Sequence, residues 1–144
     1  SSHSRFLYIQ LTLEKILGYS DFYNTLRLEK LYWSTFLEKM ELNVAAKKFI
    51  LKCEEKNIPI CCVTDLTAEI QFKKLLKLNL ENRIKYIVTS EEVGIEKPNK
   101  KMFEKALEKL NLKANQVIMI GDSTPKDIFG GEALGIKSFL VKSI

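Results

Sequence analysis

Three prolines, six glycines and three cysteines among 144 residues leave little room for a collagen-like, disordered or disulfide-dense architecture. Cys53, Cys61 and Cys62 are odd in number and lack C-x-x-C spacing. They read as free thiols of a reducing compartment, so the expected location is cytoplasmic. Arginine is rare, with 3 against 20 lysines. A nucleic-acid surface gathers arginine and aromatics on one face, so the net charge of +5 implies no nucleic-acid partner. The lysines recur on the polar side of each predicted helix, as in Lys73, Lys74, Lys77, Lys100, Lys101, Lys105 and Lys109. They read as a solvated surface. No apolar run approaches the ~20 residues that span a bilayer, so no membrane partner is expected. The chain opens without Met or a signal-peptide layout, and reads as part of a longer gene product.

What is present is a change of pattern along the chain. Residues 5–17 and 21–42 read as two helices, the first closed by Gly18 and the second capped by Ser20. In the second, Phe22, Leu26, Trp33, Phe36, Leu37 and Met40 share a broad face that reads as packing. From Asn43, helix and strand alternate. Asn43 caps a helix to about Lys56, with Val44, Phe49, Ile50 and Cys53 inward. Short apolar runs at 58–63, 86–88, 117–120 and 138–141 read as strands. Helices at about 68–78, 99–110 and 125–134 separate them. Strands apolar on both faces and joined through helices predict a doubly wound parallel sheet of the α/β class.

In such sheets ligands sit beyond the carboxyl ends of the strands. After the first run stand Thr64-Asp65-Leu66-Thr67, a hydroxyl and backbone N–H groups opening a helix. Lys97-Pro98 precedes the third core helix. After the 117–120 run come Gly121-Asp122-Ser123-Thr124-Pro125-Lys126-Asp127, two carboxylates five residues apart. Hard oxygen ligands there suit Mg²⁺ with a phosphate. An anion cradle, a cation and a metal pocket together are the parts of phosphoryl transfer.

CCVTDLTAEIQ, IVTSEEVGIEKPNKKMFEKAL and VIMIGDSTPKDIFGGEALGIKSFLV resemble three of the four signature motifs of the haloacid dehalogenase-like (HAD) hydrolase superfamily. Within it they resemble the phosphatases with a small helical cap. The resemblance implies a Rossmann-like core over residues 43–144 and part of a cap over 1–42. It implies Thr64 and Lys97 as catalytic residues, with Thr64, Asp65 and Lys97 on the substrate phosphate. It also implies Asp122 and Asp127 at the Mg²⁺ site, a small phosphorylated metabolite as substrate, and Gly130 and Gly131 as close-packing residues.

The superfamily's nucleophile lies in a D-x-D-x-[TV] segment after its first strand. The four aspartates here, Asp21, Asp65, Asp122 and Asp127, form no such pair. The resemblance therefore implies that this first, central strand is missing from the chain and that the chain alone is inactive. An upstream N-terminal peptide or a second chain would complete the sheet, since each unpaired buried backbone group costs about 1–3 kcal/mol against a total of roughly 5–15 kcal/mol. Three other readings stand beside the phosphatase. One is a dehalogenase of the same superfamily, which would need no Mg²⁺. Another is a receiver-like module, whose acidic pair should precede its Thr and Lys. The last is a non-catalytic relic that binds phosphate or a protein.

Overall fold

The computed structural model describes residues 4–141. Helix α1 (Arg5–Leu17) starts on Ser4, whose hydroxyl oxygen accepts from the Leu7 N–H, and stops on Gly18 at φ 79°. A left-handed residue there suits glycine. Helix α2 (Phe22–Lys39) is capped by Asp21, which accepts from the Asn24 N–H at 2.9 Å. The expected cap, Ser20, instead donates to Glu14. A carboxylate next to the first turn also meets the positive end of the helix dipole, which favours Asp21. Helix α1 packs on α2, and Arg5 Nε donates to the Tyr32 hydroxyl at 3.2 Å.

Helix α3 (Val44–Glu55) is capped by Asn43 as the sequence suggests. Cys53 is buried, but Val44 and Phe49 stand exposed, so α3 lays a narrower stripe on its neighbours than its composition implied. Strand β1 (Cys61–Thr64) is shorter than the apolar run before it. The Ile58 N–H closes the end of α3 on the Cys53 carbonyl at 2.8 Å, and Pro59 has no N–H for a ladder. Then follow α4 (Ala68–Lys77), β2 (Tyr86–Thr89), α5 (Ser90–Val93), α6 (Lys100–Leu110) and a 3₁₀ turn (Ala114–Gln116). Strand β3 (Ile118–Gly121) leads into a wide π-type turn (Thr124–Ile128) that continues as α7 (Phe129–Glu132) before β4 (Lys137–Leu140). Helix α5 gave no periodic signal because it is a single turn, held by the Thr89 hydroxyl accepting from the Glu92 N–H.

The strands make two parallel pairs. β1 runs beside β2 from Cys61↔Tyr86 to Thr64↔Thr89, and β3 beside β4 from Ile118↔Lys137 to Gly121↔Leu140. Parallel pairs joined through helices give an α/β, Rossmann-like layout. Among the described residues, β1 and β3 each pair with a strand on one side only. That split accounts for an expectation that fails. Strands read as covered on both faces are partly open, with Ile118 53% and Leu140 55% exposed.

The core is the cluster Val88, Met102, Phe103, Ala106 and Ile136. Helix α6 supplies Met102, Phe103 and Ala106 at i, i+1 and i+4, all buried, and fully burying a Phe or Met is worth about 1.5–3 kcal/mol. The α2 stripe divides instead of packing as one. Phe22 and Leu26 are exposed, while Tyr32, Trp33 and Phe36 pack on one another, Tyr32 to Trp33 at 5.0 Å and Trp33 to Phe36 at 5.7 Å between ring centroids.

The thiols follow the sequence reading. Cys53, Cys61 and Cys62 are all free. Burial, with smaller contributions from Cys62 and Glu92, pushes the Cys61 thiol up to about 11 against an opposing pull from Lys109. Burial also raises Cys62, opposed by Lys97 and Lys74. The ordinary value is 9.0, so the Cys61 thiolate present at pH 8 is reduced by roughly a hundredfold. Iodoacetamide at pH 8 is accordingly expected to leave the native mass unchanged and to label every cysteine in denaturant. Rapid native labelling of Cys61 or Cys62 would contradict this burial.

Candidate active site

The predicted residues gather where β1 and β3 end. Thr64 is the last residue of β1, and its hydroxyl oxygen accepts from Gln71 Nε2 at 2.7 Å. Gln71 reaches it from the first turn of α4 and is itself buried. A hydroxyl that accepts once still has its own hydrogen to donate. Thr64 is therefore oriented by Gln71. It does not cap α4: that position belongs to Thr67, and the exposed Ala68 N–H donates instead to Glu91 Oε2 at 2.7 Å.

Lys97 lies in the loop between α5 and α6. Its ammonium donates to the Val63 carbonyl at 3.0 Å and to Asp127 Oδ1 at 2.7 Å. One lysine thus ties the end of β1 to the turn that follows β3. Its third N–H has no acceptor among the described residues and stands beside Thr64 in one cavity. Lys97 and Asp127 are 13% and 5% exposed, so the ion pair is shielded.

Asp127 occupies the π-type turn, a wide winding common at functional sites. Its Oδ1 holds Lys97 and its Oδ2 accepts the Ser123 N–H at 3.1 Å. Gly121 makes room for it: a Cβ on Gly121 would lie 2.4 Å from the Asp127 Cβ. Asp65 is committed in a similar way, with Oδ1 accepting the Lys97 N–H at 2.8 Å and Oδ2 accepting Lys126 Nζ at 2.9 Å. Its carboxylate braces the loop. Asp122 is exposed just past β3.

For a divalent cation the fit is partial. Mg²⁺ takes one or two carboxylates and completes its octahedron with water and phosphate oxygens, and exposed Asp122 suits that role. Among the described residues no three acidic, His or Cys side chains converge on one point, and both Asp127 oxygens already have partners.

Thr64, Asp65, Lys97 and Lys126 line a cavity of about 350 Å³ that Arg5, Trp33 and Lys74 also line. Sequence reasoning missed Gln71, Arg5 and Lys74. Lys74 was grouped with solvated lysines, yet it is half-buried with its ammonium 5.5 Å from the centroids of both Trp33 and Phe36. Lys109 also departs from that group, donating to the Ile87 carbonyl and to Glu92. A separate hollow of about 280 Å³ beside α6 is rimmed by Glu92, Lys105 and Glu108. Its charges pair with neighbours and no strand end opens into it.

Residues 5–141 match the family described as haloacid dehalogenase-like hydrolase. A ribulose-1,5-bisphosphate 5-phosphatase of Halopiger xanaduensis is 37% identical over 97% of this chain and 59% of its own length. A glyceraldehyde 3-phosphate phosphatase of Pyrococcus furiosus is 32% identical over 67% of this chain and 40% of its own. The magnesium-bound HAD-hydrolase YfnB of Bacillus subtilis superposes with a TM-score of 0.76 at 26% identity, over 98% of this chain and 64% of that one. The chain therefore spans less than two thirds of the length of each of these three proteins. Among the described residues no helix is long and apolar enough to cross a membrane.

Proposed function

The chain belongs to the haloacid dehalogenase-like hydrolase family, and from that premise we propose that the full-length protein is a Mg²⁺-dependent phosphatase of a small phosphoester. The observation that carries the reading is the placing of Lys97. Its ammonium is fixed by the Val63 carbonyl and Asp127 in the cavity where the Gln71-oriented Thr64 hydroxyl stands. In this reading Thr64 and Lys97 donate to the phosphoryl oxygens, a task that needs fixed donors where charge gathers. Asp65 adds its backbone and braces Lys97. The phosphatase names of the relatives support a small phosphorylated metabolite as substrate.

All four aspartates have a place: Asp21 caps α2, Asp65 and Asp127 hold lysines, and Asp122 is exposed beyond β3. We therefore assign the nucleophile to an Asp upstream of this chain, on a strand that would pair between β1 and β3. Its carboxylate oxygen forms a bond to phosphorus as the ester oxygen leaves, and water then attacks phosphorus to release phosphate and restore the carboxylate. Asp122 would hold Mg²⁺, with Asp127 supporting the shell through the Ser123 amide and Lys97. When bound, Mg²⁺ neutralises phosphoryl charge. Residues 1–42 then belong to the cap and 43–144 to the core, and the free thiols suit a cytoplasmic setting.

The test is phosphate release from para-nitrophenyl phosphate by the full-length protein, with and without EDTA. Release that EDTA abolishes, and none from the 144-residue chain, is the expected result. Asp122→Asn is expected to raise the Mg²⁺ concentration for half-maximal activity by about tenfold or more, since even supporting residues of metal sites carry 10–100-fold. A full-length protein that binds phosphate without releasing it would be the non-catalytic relic instead.

A further inference from the structure

We propose that the cavity beside the strand ends takes a substrate with a second anionic group, a phosphate or a carboxylate, held by Arg5 and Lys74. The inference rests on the phosphatase reading and names its substrate class. Of the other cations that line the cavity, Lys97 and Lys126 each have a carboxylate within ion-pair distance. Among the described residues Arg5 and Lys74 have none. Both rest on rings instead: Lys74 Nζ on Trp33 and Phe36, and Arg5 Cζ 5.6 Å from the Tyr8 centroid and 5.8 Å from that of Tyr32. A ring face holds a cation in place without neutralising it, and the Tyr32 hydroxyl fixes Arg5 further by accepting from Nε.

The Lys74 ammonium is also held where its charge is costly. Burial holds the Lys74 ammonium below its ordinary value, the Arg5 charge adds to that, and Cys62 opposes it. An anion between Arg5 and Lys74 would relieve both effects. Arg5 and Lys74 line the same cavity as Thr64 and Lys97. Its volume of about 350 Å³ is at the small-metabolite end of ligand pockets. One molecule can therefore place its reacting phosphoryl at Thr64 and Lys97 and its other charged end at Arg5 and Lys74.

The experiment compares matched pairs on the full-length protein: fructose 6-phosphate with fructose 1,6-bisphosphate, and glycerol 3-phosphate with 3-phosphoglycerate. The readouts are kcat/KM and, independently of turnover, calorimetric affinity. The two-anion member should be favoured by about tenfold or more, as expected for a charged hydrogen bond. The first pair reports a phosphate at the far end and the second a carboxylate. Arg5→Gln and Lys74→Met should each bring the ratio to within about threefold of one, while Lys74→Arg keeps it. Arg5 is exposed, so its replacement tests the site even if Lys74→Met fails to fold. A ratio near one in the native protein, or one that both neutral variants leave intact, overturns the subsite. Absence of turnover on every probe overturns the phosphatase reading instead, and the affinity ratio then judges the subsite alone.

Discussion

Replacing Lys97 by Met in the full-length protein is expected to lower phosphate release by about 10²–10³-fold, the usual loss for one fixed donor to a developing oxyanion. The same change should cost about 3–5 kcal/mol of stability, because it leaves a buried carboxylate without its cation. The geometry sets both effects. Asp127 is 5% exposed and Lys97 13%, so water does little to replace the lost partner. The Val63 carbonyl loses a donor as well. The two effects separate in the double variant K97M/D127N. With both charges gone, most of the stability should return, because the cost lies in the uncompensated charge. Activity should not return, because the phosphoryl oxygens still lack the lysine. Urea denaturation and phosphate release, measured on the single and double variants, form a double-mutant cycle. Recovery of activity together with stability would mean that Lys97 serves only to hold the fold.

That lysine also shows what the sequence could and could not reveal. Thr64 and Asp127 were singled out because they follow apolar runs, and Lys97 because it precedes the third core helix, strand ends being where α/β sheets place ligands. The cap Asn43 and the stop at Gly18 were legible for a local reason: their side chain or backbone acts within three or four residues. Gln71 was not, although it lies only seven residues from Thr64. Nothing in its helical spacing tells a buried Gln from a solvated one. Lys74 looked like every other lysine on a polar helix face until α2 brought Trp33 and Phe36 against it. Asp65 read as part of an anion cradle, and only the approach of Lys126, 61 residues away, shows its carboxylate committed elsewhere. The openness of β3 and β4 was hidden for the opposite reason. Apolar runs report what a strand could bury, whereas Ile118 and Leu140 remain 53% and 55% exposed.

Gly130→Ala is the other substitution with a large expected effect. It adds a single methyl group in the place where α7 crosses α6. A Cβ on Gly130 would lie 2.3 Å from Phe103 Cε2 and 3.2 Å from the Pro98 carbonyl oxygen. Phe103 cannot swing aside, being 2% exposed within the Val88, Met102, Ala106 and Ile136 cluster. Overpacking a filled core costs about 1–3 kcal/mol, and the upper end applies where the obstructing ring is fully enclosed. The damage should also reach the site, because relief in the other direction pushes on Pro98, whose neighbour Lys97 must hold Val63 and Asp127 at hydrogen-bond distance. Phe103→Leu tests that cause. It removes the ring edge and by itself opens a cavity, which destabilises. In that background the Gly130 methyl has space to occupy, so G130A/F103L should be more stable than the sum of the two single effects predicts, by about 1 kcal/mol or more. Since Gly130 lies in a right-handed helical turn, where Ala is intrinsically favoured over Gly, strict additivity in thermal denaturation would place the strain of Gly130→Ala against the Pro98 carbonyl oxygen and not against Phe103.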